Sequence, residues 1–174
     1  MGLFDFIVGK ALNVPSEQLN WHECTNKLDG DMIPSLPPGT PVYCSLMLNI
    51  AEHSGISIGD KIVHLDGSGK IISSSPQEFL ARLDGNNLAF NIYYAATAPN
   101  QPLAKSDIAD RAQNALGNHR DYHVLKDNCH GFAIRCIDGK STCHSAWSIR
   151  EIEYAISKAF STINWRWRCW DGWR

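Results

Sequence analysis

Three residues carry the side chains best suited to covalent chemistry: Cys129, His53 and His64. A thiolate is a strong nucleophile, but a thiol must first lose its proton. Cys129 stands in the run Leu-Lys-Asp-Asn-Cys-His-Gly-Phe-Ala-Ile at 125–134. The pattern predicts a helix from Asn128 to about Ile137, with Asp127 as its N-cap. A cysteine in that first turn meets unpaired backbone N–H groups and the positive end of the helix dipole, which favour the anion. A neighbouring imidazole would take the proton, and a second imidazole bonded to the first would hold its tautomer and orientation. The same N–H groups would receive the oxyanion of an attacked carbonyl. Other readings compete. A cysteine near a helix start is often a small buried hydrophobe, a strand histidine is often a hydrogen-bonded core residue, and Cys/His/His is also a zinc ligand set.

The two histidines need an element that sets them side by side. His53–Ile58 and Lys61–Leu65 are β-rich runs separated by Gly59-Asp60, the pattern of a two-residue hairpin. That turn places Ile58 opposite Lys61, Ser57 opposite Ile62, Ile56 opposite Val63 and Gly55 opposite His64. Alternation then puts His53, Gly55, Ser57, Ile62 and His64 on one face. His53 and His64 become diagonal neighbours, roughly 7 Å apart between the backbones of the two strands, and Gly55 leaves room for an imidazole to lean across.

Around this hairpin the chain reads as helix, strands, then helices. Residues 3–13 form an amphipathic pattern, and a proline-rich loop leads to a strand over Val42–Leu48. Ser75-Pro76-Gln77-Glu78 is an N-cap, N1 proline and capping Glu opening a helix to about Leu83. Leu88–Ala95 is a strand candidate, and 103–117 a helix stopped by Gly117. Ser148-Ile149-Arg150-Glu151 opens a helix whose Ile149, Ile152, Ile156, Phe160 and Ile163 recur at helical spacing. Strands flanked by helices predict an α+β fold. The length of 174 residues fits a single domain over 1–174. Its parts are an N-terminal helix and lead-in (1–37), a catalytic core (38–138), a C-terminal helix region (139–164) and a tail (165–174).

Charge and composition narrow the partners. Sixteen Lys+Arg against eighteen Asp+Glu leave a net charge of -2, so no nucleic acid partner is expected. Met1–Leu12 lacks a secretion-signal pattern, and Phe6 stands where a myristoylation signal has Ser or Thr. No run approaches the ~18 apolar residues of a membrane span. The expected compartment is the cytoplasm, with Cys24, Cys44, Cys129, Cys136, Cys143 and Cys169 reduced. No CxxC pair marks an all-thiolate zinc site, and neither cofactor nor metal is expected. The tail alternates indole and guanidinium groups: Trp165, Arg166, Trp167, Arg168, Trp170 and Trp173. It reads equally as a peripheral membrane contact or as a final strand laid on the domain with Trp packed and Arg outward.

Two blocks carry a family resemblance. Pro38-Gly-Thr-Pro-Val-Tyr43, followed by His53-Ser-Gly-Ile-Ser-Ile-Gly59-Asp-Lys-Ile-Val-His64, resembles the opening block of the lecithin:retinol acyltransferase family. Arg111-Ala, Leu116-Gly117 and Tyr122-His-Val-Leu-Lys-Asp-Asn128-Cys129-His-Gly-Phe132-Ala resemble its second block, although the family's usual Asn-Cys-Glu-His-Phe is Asn-Cys-His-Gly-Phe here. The resemblance implies a circularly permuted papain-like fold, an antiparallel sheet packed against the nucleophile-bearing helix. It also implies Cys129 as nucleophile, His53 as base and His64 as third polar residue. Asn128, His130 and Tyr43 are expected in the substrate and oxyanion neighbourhood. The expected function is a cysteine-dependent hydrolase or acyltransferase working through a thioester, with lipid esters as the first substrate class. Two alternatives stand beside it: a thiol peptidase or amidase on a peptide or isopeptide bond, and a non-catalytic binding module using the Trp/Arg tail.

Overall fold

The structure is a computed structural model that describes residues 33–46, 51–81, 91–97, 100–121, 127–140, 146 and 148–174, the side chains of 46 and 51 apart. The helix expected over 3–13, the start of the strand expected from Leu88, and Cys24 and Cys143 lie outside the described residues. The strands are β1 (Pro41–Leu46), β2 (Ala51–Ser57), β3 (Ile62–Leu65), β4 (Ile71–Ser74), β5 (Ile92–Thr97), β6 (Gln101–Pro102) and β7 (Trp165–Trp170). The helices are α1 (Pro76–Leu80), α2 (Ser106–Asn114), α3 (Cys129–Asp138) and α4 (Ile149–Phe160). Helices and antiparallel sheet make the fold α+β.

All strand pairs are antiparallel, in the order β4-β3-β2-β1-β5. β7 pairs with β5 from Ile92 to Thr97, so it holds one edge alone, and β1 and β6 share the other. The β2–β3 hairpin has the expected register, Ile56↔Val63 and Ser57↔Ile62. Gly59 takes φ 107 at the turn, a conformation glycine reaches without steric cost, and Ile58 N–H donates to the Lys61 carbonyl at 2.8 Å.

Antiparallel sheets often leave one face in water, but here both are covered, and every residue of β3 is buried. One face carries Tyr43, Ile56, Val63 and Leu65 against Phe132 of α3, Ile108 of α2 and Ile152 of α4. The other carries Val42, Cys44 and Ile62 against Leu36 and Phe79. Period-2 alternation assigns each strand residue to one of these two cores, and that assignment sets where the site side chains point.

Several elements depart from expectation. The second helix starts at Ser106 rather than 103, because Leu103 N–H donates to the Ala95 carbonyl (2.8 Å) in the sheet. The last helix ends at Phe160 with Ser161 left-handed (φ 52), which leaves Ile163 beyond it and 86% exposed. β4 had no strong signal: Ile71-Ile72-Ser73-Ser74 is short and half polar, and neighbours recruit it. Gly117 N–H donates to the Ile71 carbonyl, and Ile71 N–H donates to Asn118. The α1 capping box is present, with Glu78 Oε2 accepting from Ser75 N–H at 2.7 Å.

Candidate active site

Asn128, not Asp127, caps α3. Its Oδ1 accepts from Gly131 N–H at 2.9 Å, while its Nδ2 donates to the Ala146 carbonyl at 2.7 Å. Of the two neighbours, only the Asn128 amide can accept one bond and donate the other, since an ionised Asp127 carboxylate only accepts. Asp127 instead accepts from Arg135 Nη2 (2.6 Å) and Arg120 Nη1 (3.0 Å). The far end of α3 is closed by Gly139 (φ 71) and by the Arg111 guanidinium, whose Nε donates to the Cys136 carbonyl at 2.5 Å.

Cys129 therefore occupies the first helical position, in the field of the open N–H groups, and is 6% exposed. Its Sγ lies 4.0 Å from the carbonyl oxygen of Glu52, on the peptide that joins Glu52 to His53. The reason is the short β2–β3 ladder. Ser57 N–H and C=O bond toward β1, so by alternation the Glu52 carbonyl faces the β3 side. The ladder has ended before Glu52, and the helix start fills that gap.

The histidines are together, as the hairpin requires. Their ring centroids are 5.0 Å apart and edge-on (77°), and each packs on Phe79, at 5.0 Å from His53 and 5.3 Å from His64. Both are buried, and His64 Nε2 is 2.9 Å from Ser74 Oγ. A Cβ on Gly55 would stand 3.2 Å from the His64 Cβ and 2.7 Å from Ile62 Cγ2, so glycine is needed for this approach. The pair belongs to the sheet face of Phe79, whereas α3 packs on the face of Ser54 and Ile56. The sulfur thus comes to β2 along its edge and not across its face.

His130 lies on the α3 side, 5% exposed, with Nδ1 2.9 Å from Ser54 Oγ and Nε2 3.8 Å from Glu52 Oε2. Tyr43, paired with Ser54, is 3% exposed, stacked on Tyr93 at 4.9 Å and edge-on to Trp167 at 4.7 Å. Sequence reasoning passed over Ser74 and Phe79, and also Glu52 and Ser54, which here stand against the expected His130. The alternation of β2 was enough to put Glu52 and Ser54 on one face, but Ser74 depended on recognising β4. Cys136 is a core thiol: burial pushes it up to about 12 despite the guanidiniums of Arg135, Arg111 and Arg120. Among the described residues no group of three His, Cys, Asp or Glu side chains is placed to hold a metal ion.

The tail takes the strand reading. The indole N–H groups of Trp165, Trp167 and Trp170 donate to Ser157 Oγ (2.8 Å), Glu153 Oε1 (2.9 Å) and the Ile33 carbonyl (2.9 Å). Trp165 and Trp167 face the helices and Trp170 the opposite core, so these rings form no single membrane-facing surface. Arg166 is exposed, Arg168 half-buried, and the Trp173 ring lies under the Arg174 guanidinium at 5.3 Å. No described helix is long and apolar enough to cross a membrane.

The described residues thus form an antiparallel α+β fold with a cysteine at a helix start and a paired-histidine hairpin. Residues 35–142 match the family model described as lecithin retinol acyltransferase, and the chain belongs to that family. No curated protein and no solved structure matches it.

Proposed function

We propose that this chain is a cysteine-dependent acyltransferase or hydrolase of lipid esters, with Cys129 as nucleophile, His53 as base and His64 as the residue that orients His53. The observation that carries the reading is Cys129 Sγ beside the Glu52–His53 peptide, at the strand end that bears the histidine pair. In the reaction, the His53 imidazole takes the thiol proton at the open edge of β2. The thiolate adds to the ester carbonyl carbon, forming a C–S bond and an oxyanion received by the first-turn N–H groups of α3. Collapse breaks the acyl C–O bond, and the leaving alkoxide takes the proton back from His53. Water, an alcohol or an amine then gives its proton to His53, attacks the thioester and releases the thiolate. His64, held on Ser74, stabilises one orientation of its neighbour, the part a carboxylate or amide plays in related sites. Asn128 holds the helix start, while His130 and Tyr43 stand beside it on the α3 side of the sheet.

Intact-mass measurement after incubation with a short-chain phosphatidylcholine tests this. The expected result is an acyl adduct on Cys129, absent from Cys129→Ala. Iodoacetamide at neutral pH should label Cys129 first, and His53→Gln should slow that labelling by about tenfold or more in a folded protein. His130→Gln, which leaves His53 in place, should slow it much less. No adduct, together with labelling indifferent to His53, would overturn the assignment in favour of a binding module.

A further inference from the structure

The start of α3 is tied by Asn128 to the Ala146 carbonyl, and its apolar side packs on Ile56 through Phe132 and Ala133. Neither contact is specific for the stretch of β2 that bears His53. Hydrophobic contact is non-directional, and Ala146 belongs to another segment. The specific contact comes from His130, which follows Cys129 in the first turn of α3. Its Nδ1 lies 2.9 Å from Ser54 Oγ and its Nε2 3.8 Å from Glu52 Oε2. Glu52 and Ser54 flank His53 in the chain, and by alternation they turn to the α3 face while His53 turns to the face of Phe79. One imidazole thus grips the strand on both sides of His53, and it does so from the residue next to the thiol. His130 is 5% exposed and Ser54 fully buried, so water does not replace their bond if it is lost. Ser54 Oγ can donate to Nδ1 of a neutral ring whose proton sits on Nε2, toward Glu52. The Glu52 contact is too long for a hydrogen bond, and its side chain is 30% exposed, so solvent screens it. The Ser54 bond is the directional one. A glutamate at 130, usual in the family's motif, would set a second carboxylate against Glu52, and the imidazole removes that repulsion.

We infer, on the reading of Cys129 as nucleophile and His53 as base, that His130 is a positioning residue: by its bond to Ser54 it fixes the start of α3 in register with β2, so that the thiol meets His53 at the strand edge. His130 acts through its neighbours and takes no proton in the reaction. Cys129 Sγ lies 4.0 Å from the Glu52 carbonyl oxygen, on the peptide that leads into His53. Without the Ser54 bond the first turn of α3 is free to shift along β2, because the remaining contact there is apolar or screened. A small shift moves the sulfur off its approach to the base, and proton transfer is steep in that geometry. The helix itself persists, since Asn128 still caps it.

The test is the pH–rate profile of iodoacetamide labelling at Cys129 in the full chain, mapped by mass. Labelling follows the thiolate, so a well-placed base lowers the midpoint of the profile. Ser54→Ala should raise that midpoint by about half a pH unit, which at pH 7 reads as about threefold slower labelling. This variant removes a single oxygen and leaves Glu52 and His53 of β2, His64 of β3 and His130 of α3 in place, so a moved midpoint is not a change of local charge. His130→Ala should do the same, and the double variant should be no slower, because both act through one bond. His130→Asn sets an amide where Nδ1 stood and should restore most of the shift. The high-pH plateau should stay within about twofold of the parent. A merely looser fold would change access, and hence the plateau, while the midpoint stayed. His53→Gln is the reference. If it slows labelling while Ser54→Ala keeps the parent midpoint, the positioning role is overturned and the catalytic reading stands, even where His130→Ala fails to fold. If His53→Gln has no effect, the catalytic reading falls and the positioning role with it.

Discussion

Replacing Asn128 by alanine probes the joint that holds the nucleophile. Two bonds are lost together: the N-cap to Gly131 N–H (2.9 Å) and the donation to the Ala146 carbonyl (2.7 Å). Loss of a cap costs about 1 kcal/mol. Depriving a carbonyl of its donor at a residue only 1% exposed costs a further 1–3 kcal/mol or so. The sum is about 2–4 kcal/mol, or roughly 5–15 °C in Tm for a chain of this size. Asn128→Asp separates the two terms. A carboxylate still accepts from Gly131, but its second oxygen faces the Ala146 carbonyl, so little stability returns. The added negative charge beside Cys129 also opposes the thiolate, and iodoacetamide labelling at neutral pH should slow. Differential scanning calorimetry and mass-mapped labelling read both effects. A Tm within 2 °C of the parent for Asn128→Ala, or full recovery in Asn128→Asp, would refute the two-bond account.

Other substitutions test the rest of the frame. Gly55→Ala should destabilise by about 1–3 kcal/mol, since the new Cβ would meet Ile62 Cγ2 and the Val63 carbonyl at 2.7 Å; imidazole NMR signals of His53 and His64 should shift with it. Cys136 should stay unalkylated in the native protein: with its thiol at about 12, roughly one molecule in 10⁴ is thiolate at pH 8. Its raised value favours the folded state below pH 9, and that contribution fades as pH rises from 9 toward 12, which a pH series of urea melts would register. Deleting 165–174 should unfold the chain rather than merely loosen a surface contact, because it removes β7 with Trp167 and Trp170 from the two cores; retained near-UV circular dichroism would count against this.

Local patterns carried much of the site. The Gly59-Asp60 turn and alternation were sufficient to pair Ile56 with Val63 and to bring His53 to His64, because hairpin register is set within a few residues. The helix around Cys129 was legible for the same reason, but its cap was not. Asp127 and Asn128 are both good caps, and only the position of the Ala146 carbonyl and of Arg120 and Arg135 decides which faces the helix. β4 was missed because a strand of four residues with two serines owes its existence to its neighbours.

The amino-acid order alone determined a cysteine in a first turn, two histidines on one face of a hairpin and an α+β plan, since each depends on periods and turns that the backbone imposes locally. Tertiary structure decided that the Trp-rich tail pairs with β5, that His130 is buried on Ser54, and that Cys129 reaches β2 where its ladder with β3 stops. These depend on which edges and faces were left uncovered once the chain had folded. An edge is satisfied by whichever segment arrives with matching donors and apolar surface, and no short window of sequence records that competition.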